Sequence, residues 1–260
     1  MRLIARILLL AGGIGMIFLA VGFFFQLEWA TKLWLWKDGP LSFKFVASMQ
    51  AAIAAAMIWL ALSNQLSGMA AGALNLIVML SGASWYLFQL SDQEGRGYLA
   101  GYAIAFLIFA IVNLGLFVYC YGLPVLDKHP LPGMVRFSFI IYAAVLLIVG
   151  INLLRKPAVI FPWPLNPDTS VIFGLMFIGD AFYFLYAILL PVWANAKAPL
   201  WSFLIYDLIL ITPFLSHFSA VKPEHRNSLV LYTIVLIYSA LISIYYLFFY
   251  RPDRTSGSSY

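Results

Sequence analysis

Eight separate runs of this 260-residue chain are each long and apolar enough to cross a lipid bilayer, at about 7–26, 43–62, 69–89, 98–119, 135–154, 170–191, 200–216 and 228–249. A hydrocarbon core of about 30 Å takes roughly 20 residues of helix at 1.5 Å each. Lipid offers backbone amides no partner, so each run must close its hydrogen bonds within itself, and the spans are helices. A membrane β-barrel is built from short alternating segments, whereas these runs are continuous. The sequence predicts an all-α polytopic membrane protein of eight transmembrane helices.

Hydrophobic residues make up 64% of the chain and charged residues 10%. A soluble domain carries about 25% charged residues, so too few remain here to cover a surface facing water. The net charge of +5 comes from bases at the ends of the apolar runs, where lipid headgroups meet them. A nucleic-acid footprint needs bases clustered on one face, so nucleic acid is excluded as a partner and the lipid bilayer is the expected one. Cys120 is the single cysteine, which rules out an intrachain disulfide and a thiolate metal centre. The first run follows Arg2 and Arg6 and continues through Phe23, Phe24 and Phe25 with no small-residue cleavage site, and reads as a retained span rather than a signal peptide. Bases divide almost evenly between the two sides. Arg2 and Arg6 flank the first helix, so both termini are expected on the cytoplasmic side of the plasma membrane.

Two longer connections, 27–42 and 155–169, carry Trp29, Trp34, Trp36 and Trp163 and read as interfacial or re-entrant segments. They resemble each other. Trp36-x-x-x-Pro40 is followed by Ser42, and Trp163-x-x-x-Pro167 is followed by Thr169, 127 residues later. In each a long helix is expected to begin near the proline, which fits a first helical turn. The same offset carries spans one to four onto spans five to eight. The expectation is two parallel four-helix repeats, over 1–127 and 128–254, with a C-terminal tail at 255–260. Four spans per half give both halves the same orientation, as in parallel repeats.

Two acids, Asp180 and Asp207, fall deep inside spans six and seven. Counted from the same membrane face, both lie roughly 14–15 Å deep. An ionisable group in hydrocarbon is costly and usually meets a partner or a wet cavity. If the two face each other they can share a proton or hold a cation. The first half has Ile53 and Leu80 at the matching positions, so any site belongs to the second half. Tyr183, Tyr186, Tyr206 and Thr212 supply nearby polar groups, with Gln50, Asn75 and Asn113 in the first half. Pro213, four residues after Ile209, predicts a bend near Asp207. His217 and His225 share a connection with Lys222, Glu224 and Arg226, the composition of a solvated loop.

No zinc, nucleophile-elbow, P-loop or dinucleotide motif occurs, so no cofactor and no metal are expected and an enzyme is disfavoured. The candidate ligand, proton or cation site is Asp180, Asp207, Tyr183 and Tyr206. The interfacial repeat motif is Trp36, Pro40, Trp163 and Pro167. The expected function is binding or transport of a small solute, ion or lipid. The alternatives are a structural or accessory subunit of a larger membrane complex and, last, an intramembrane enzyme acting on lipid; beside the bilayer, the partners in view are other membrane proteins or further copies of the chain in a homo-oligomer.

Overall fold

The computed structural model describes residues 2–156 and 159–251, so the tail expected at 255–260 lies outside the described residues. The described chain is helical: α1 (Arg2–Phe24), α2 (Glu28–Thr31), α3 (Pro40–Ser63), α4 (Met69–Ser91), α5 (Leu99–Tyr121), α6 (Gly133–Leu154), α7 (Pro167–Leu189), α8 (Trp193–His217) and α9 (Pro223–Ile244). A single π turn, Tyr245–Phe249, extends α9. No strand forms among the described residues, where Pro130 and Val192 make one isolated bridge. All of these helices except α2 are long and apolar enough to cross a membrane, eight in all. The shortest of these spans has 22 residues, about 33 Å of helix, which matches the hydrocarbon thickness. The chain is an integral membrane protein.

Local chemistry accounts for the helix ends. Both α3 and α7 begin on the motif prolines, Pro40 and Pro167, whose fixed φ and missing N–H suit a first turn. Asn166 Oδ1 accepts the backbone N–H of Asp168 at 2.9 Å, which satisfies one of the orphan donors of α7. Asn64 closes α3 in the left-handed conformation at φ 57°, a position that Asn tolerates. The 95–97 segment turns on Gly95 at φ +77°.

The seventh span departs from the hydropathy reading. It begins at Trp193 rather than near 200 and runs through Pro199 and Pro213. Asn195 and Lys197 lower the hydropathy of its first turns, but Ala194, Ala196 and Ala198 between them are strong helix formers. Asn195 Nδ2 donates to the carbonyl of Leu190 at 2.9 Å, which ties the start of α8 to the end of α7.

Two compact units divide the described helices. The first contains α1, α2, α3, the segment 159–169 and, from Ala196 onward, α8 and α9. Here α1 packs along α3, and Arg6 Nε donates to the carbonyl of Ala61 at 2.7 Å, satisfying an end of α3 that has no intrahelical partner. Ser202 Oγ ties α8 to α3 through the carbonyl of Ala52 at 3.0 Å. The second unit contains α4, α5, α6 and α7 from Ser170. Ser84 Oγ of α4 donates to the carbonyl of Ala103 of α5 at 2.7 Å. Ser170 Oγ of α7 donates to the carbonyl of Leu153 of α6 at 2.9 Å. In hydrocarbon, small residues and hydroxyls hold helices together because apolar side chains gain nothing by leaving lipid.

Candidate polar sites in the apolar bundle

The two mid-span acids belong to different units, and each has a neutral partner within its own. In the second unit Asn75 Nδ2 of α4 donates to Asp180 Oδ1 of α7 at 2.7 Å. Gly179 makes room for this pair. A β-carbon at 179 would fall on Asn75 Oδ1 and lie 2.9 Å from the backbone oxygen of Asn75. The run Gly179-Asp180 thus lets a polar neighbour lie flat against the helix and meet the acid beside it.

In the first unit Asp207 of α8 is 1% exposed. Ser239 Oγ of α9 donates to its Oδ2 at 2.5 Å. The other carboxyl oxygen, Oδ1, has no hydrogen-bond partner among the described residues. Gln50 Oε1 of α3 and Ser243 Oγ of α9 are buried and unpartnered in the same sense. A buried polar atom without a partner costs about 1–3 kcal/mol, which is why such atoms mark places of interest.

The tyrosines take other roles. Tyr206 and Tyr232 pair their hydroxyls, joining α8 to α9, and the Tyr206 ring meets Phe45 edge-on at 6.1 Å. Tyr183 is buried with its ring 6.3 Å from Phe184, Tyr186 packs against Phe117, and Asn113 Nδ2 donates to the carbonyl of Phe109 on its own helix at 2.8 Å. Thr212 is exposed.

The tryptophan–proline motifs differ from each other. Trp163 is 4% exposed and sits among Phe161, Phe214 and Phe45. Its indole Nε1 donates to Ser42 Oγ at 2.9 Å, which supplies the partner a buried N–H needs. Trp36 is half-buried and meets Trp34 edge-on. Asp38, inside the first motif, accepts from Trp34 Nε1 at 2.7 Å and from Thr169 Oγ1 at 2.5 Å, with the backbone N–H of Asn166 at 3.5 Å. One carboxylate therefore fastens the segment before α3 to the start of α7. His225 is also not in a solvated loop. It is 3% exposed and donates from Nδ1 to the carbonyl of Phe161 at 2.7 Å.

No protein-family model, curated protein or solved structure matches this chain. Its function has to be read from its own residues. Sequence reasoning named Asp180, Asp207, Gln50 and Asn75 but missed Asp38, Ser239 and Ser243. Ser239 and Ser243 carried a usable signal. They are spaced one helical turn apart in an apolar span, so both face the same side.

Proposed function

We propose that this integral membrane protein binds or moves a small solute or ion through its mid-span acids, with Asp207 as the principal group. The observation that carries the reading is the carboxyl of Asp207, 1% exposed, with one oxygen held by Ser239 and the other unpartnered among the described residues. A purely structural acid in hydrocarbon is expected to fill its acceptor capacity. Asp180, bonded by Asn75, is the second member. The test uses purified protein in vesicles on a solid-supported membrane. Jumps of sodium, potassium or pH are expected to drive a displacement current that Asp207→Asn abolishes and Asp180→Asn reduces. Unchanged currents in both variants would overturn the reading.

The chain is also proposed to be two parallel four-helix repeats, 1–127 and 128–254, with both termini on the cytoplasmic side of the plasma membrane. Helix starts at Pro40 and Pro167, 127 residues apart, support the repeat. Further support is the make-up of the compact units. One takes the first helix pair of the first half with the last pair of the second, and the other takes the complement. Exchange of helix pairs between two related halves produces that division. Residues 1–127 and 128–254 co-expressed as separate chains are therefore expected to co-purify as a folded complex. Either alone is expected to aggregate. A half that is stable by itself would count against the exchange.

A further inference from the structure

We propose that Asp207 exchanges a proton with the membrane face at which α9 ends, along the hydroxyls of Ser239, Ser243, Tyr246 and Tyr250. The inference rests on the reading of Asp207 as a functional acid and names both the ion that acid takes and the side it comes from.

The line of hydroxyls starts at a direct contact. Ser239 Oγ of α9 donates to Asp207 Oδ2 at 2.5 Å. Ser243 stands four residues further along α9. At about 100° per residue it comes round to within roughly 40° of Ser239, so both hydroxyls share one helix face. Both residues are 1% exposed, and Ser243 Oγ has no hydrogen-bond partner among the described residues. Tyr246 follows three residues later, a neighbour of Ser243 on the helix surface, and its ring meets that of Tyr250 at 5.2 Å. The π turn Tyr245–Phe249 carries this last step, with the Tyr250 N–H on the carbonyl of Tyr245 at 3.0 Å. Such turns are frequent at functional sites. Burial relaxes along the line, from the buried serines to the half-buried Tyr246 and Tyr250. From Ser239 to Tyr250 the helix rises about 16 Å, about half the hydrocarbon thickness. In the other direction the line breaks. Val235 and the buried Leu236 occupy the preceding turn, and the next hydroxyl on that face, Tyr232, is paired with Tyr206.

The chemistry of the line selects the ion. A metal cation needs several oxygens closing on one point, whereas Ser239 is the one hydrogen-bond partner of the Asp207 carboxyl among the described residues. A proton needs one oxygen at a time, and hydroxyls both accept and donate. Each takes a proton on a lone pair and passes its own inward, until the Asp207 carboxylate becomes a neutral acid; no electron is transferred. The step of about 5–6 Å between positions 239 and 243 is spanned by one water, of the kind that satisfies buried polar atoms lacking other partners. The charged and titratable groups of the elements packed here lie off the line or at its outer end. Lys44 of α3 turns its ammonium over the Phe24 ring, 5.9 Å from the centroid. Lys197 and His217 of α8 are each ten residues from Asp207, about 15 Å along the helix. His225 donates to the carbonyl of Phe161, and Asp168 lies in the first turn of α7. Tyr238 and Tyr245 are set about 100° or more away from Ser239 around α9. Arg251, exposed, follows Tyr250 where the line opens.

The experiment is a pH jump on vesicles of the full-length protein on a solid-supported membrane, read as the total charge displaced and the rate of its displacement. Wild type is expected to displace charge that Asp207→Asn removes. Tyr246→Phe, which loses only a hydroxyl, is expected to slow the displacement at least tenfold and leave the total charge as it was. Ser243→Val and Ser243→Thr add the same bulk and differ by a hydroxyl, and the valine variant is expected to be at least tenfold the slower of the two. Tyr238→Phe, off the line, is expected to keep the wild-type rate. A wild-type rate in Tyr246→Phe overturns the path and does not depend on the Ser243 variants folding. Equal rates in Ser243→Val and Ser243→Thr also overturn it, because bulk alone would then explain the effect. A sodium or potassium current that needs Asp207, with no pH response in wild type, sinks the proton path while the acid-site reading stands. Currents unchanged in Asp207→Asn and Asp180→Asn sink the reading itself.

Discussion

Gly150→Leu or Gly174→Leu is expected to leave no monodisperse protein after detergent extraction. At this crossing the backbones of α6 and α7 touch. A β-carbon at Gly150 would stand 2.8 Å from the carbonyl oxygen of Gly174 and 3.2 Å from the backbone nitrogen of Ile178. A β-carbon at Gly174 would stand 2.7 Å from the carbonyl oxygen of Gly150. Backbone atoms cannot swing aside as a side-chain tip does, so the helices must part. In lipid their separation forfeits packing that nothing else replaces. The smaller change gives a measurable version. Gly150→Ala is expected to lower unfolding stability by about 1–3 kcal/mol, the usual cost of overpacking, read as a fall in thermal midpoint by fluorescence-detected size exclusion. Gly115→Ala is the control, because nothing lies within 4 Å of its added β-carbon. There Ala should be neutral or stabilising, since it exceeds Gly in helix propensity by about 0.8–1.0 kcal/mol. Equal losses at 150 and 115 would mean that the close crossing does not hold the pair.

The same crossing shows where the sequence stops being informative. Bilayer thickness fixes the length of a span, so eight runs of the right length were readable without knowing any neighbour. Pro40 and Pro167 announce the starts of α3 and α7 because proline restricts its own backbone. Pairing has no such local signature. A span that is apolar all round carries no stripe to say which face is buried. Gly150 is one small residue among many until Gly174 lies against it. Asn75 and Asp180 stand 105 residues apart, and the sequence offers several polar residues as partners with nothing to rank them. His225 misleads for a related reason. Lys222, Glu224 and Arg226 surround it with the composition of a wet loop, and its partner is a backbone carbonyl, that of Phe161, which no side-chain pattern encodes. Asp38 is hidden in the same way. It is one charge among several in a connection, and its weight comes from receiving the Trp34 indole and the Thr169 hydroxyl together.

Trp163→Ala is expected to cost about 3–5 kcal/mol of stability, the range for emptying a large buried aromatic. Its ring fills the space among Phe45, Phe161 and Phe214, and at 4% exposure neither water nor lipid is positioned to take its place. The polar end adds a second loss, because Ser42, fully buried, gives up the indole bond to its hydroxyl. Trp163→Phe separates the two contributions. It keeps most of the ring and drops the N–H, and should cost about 0.5–1.5 kcal/mol, the worth of a typical hydrogen bond, plus a smaller packing loss. The matching residue of the other motif should behave differently. Trp36 is half-buried against Trp34, and an aromatic pair of that kind is worth about 0.5–1.5 kcal/mol, so Trp36→Ala is expected to fall in that range. The comparison, made by chemical or thermal unfolding in one detergent, asks whether two similar motifs now do different work. If Trp36→Ala and Trp163→Ala destabilise equally, the aromatic cluster around Trp163 is not what secures the segment 159–169 to α3, α8 and α9. A loss for Trp163→Phe as large as for Trp163→Ala would instead assign the effect to the indole N–H and Ser42 rather than to packing.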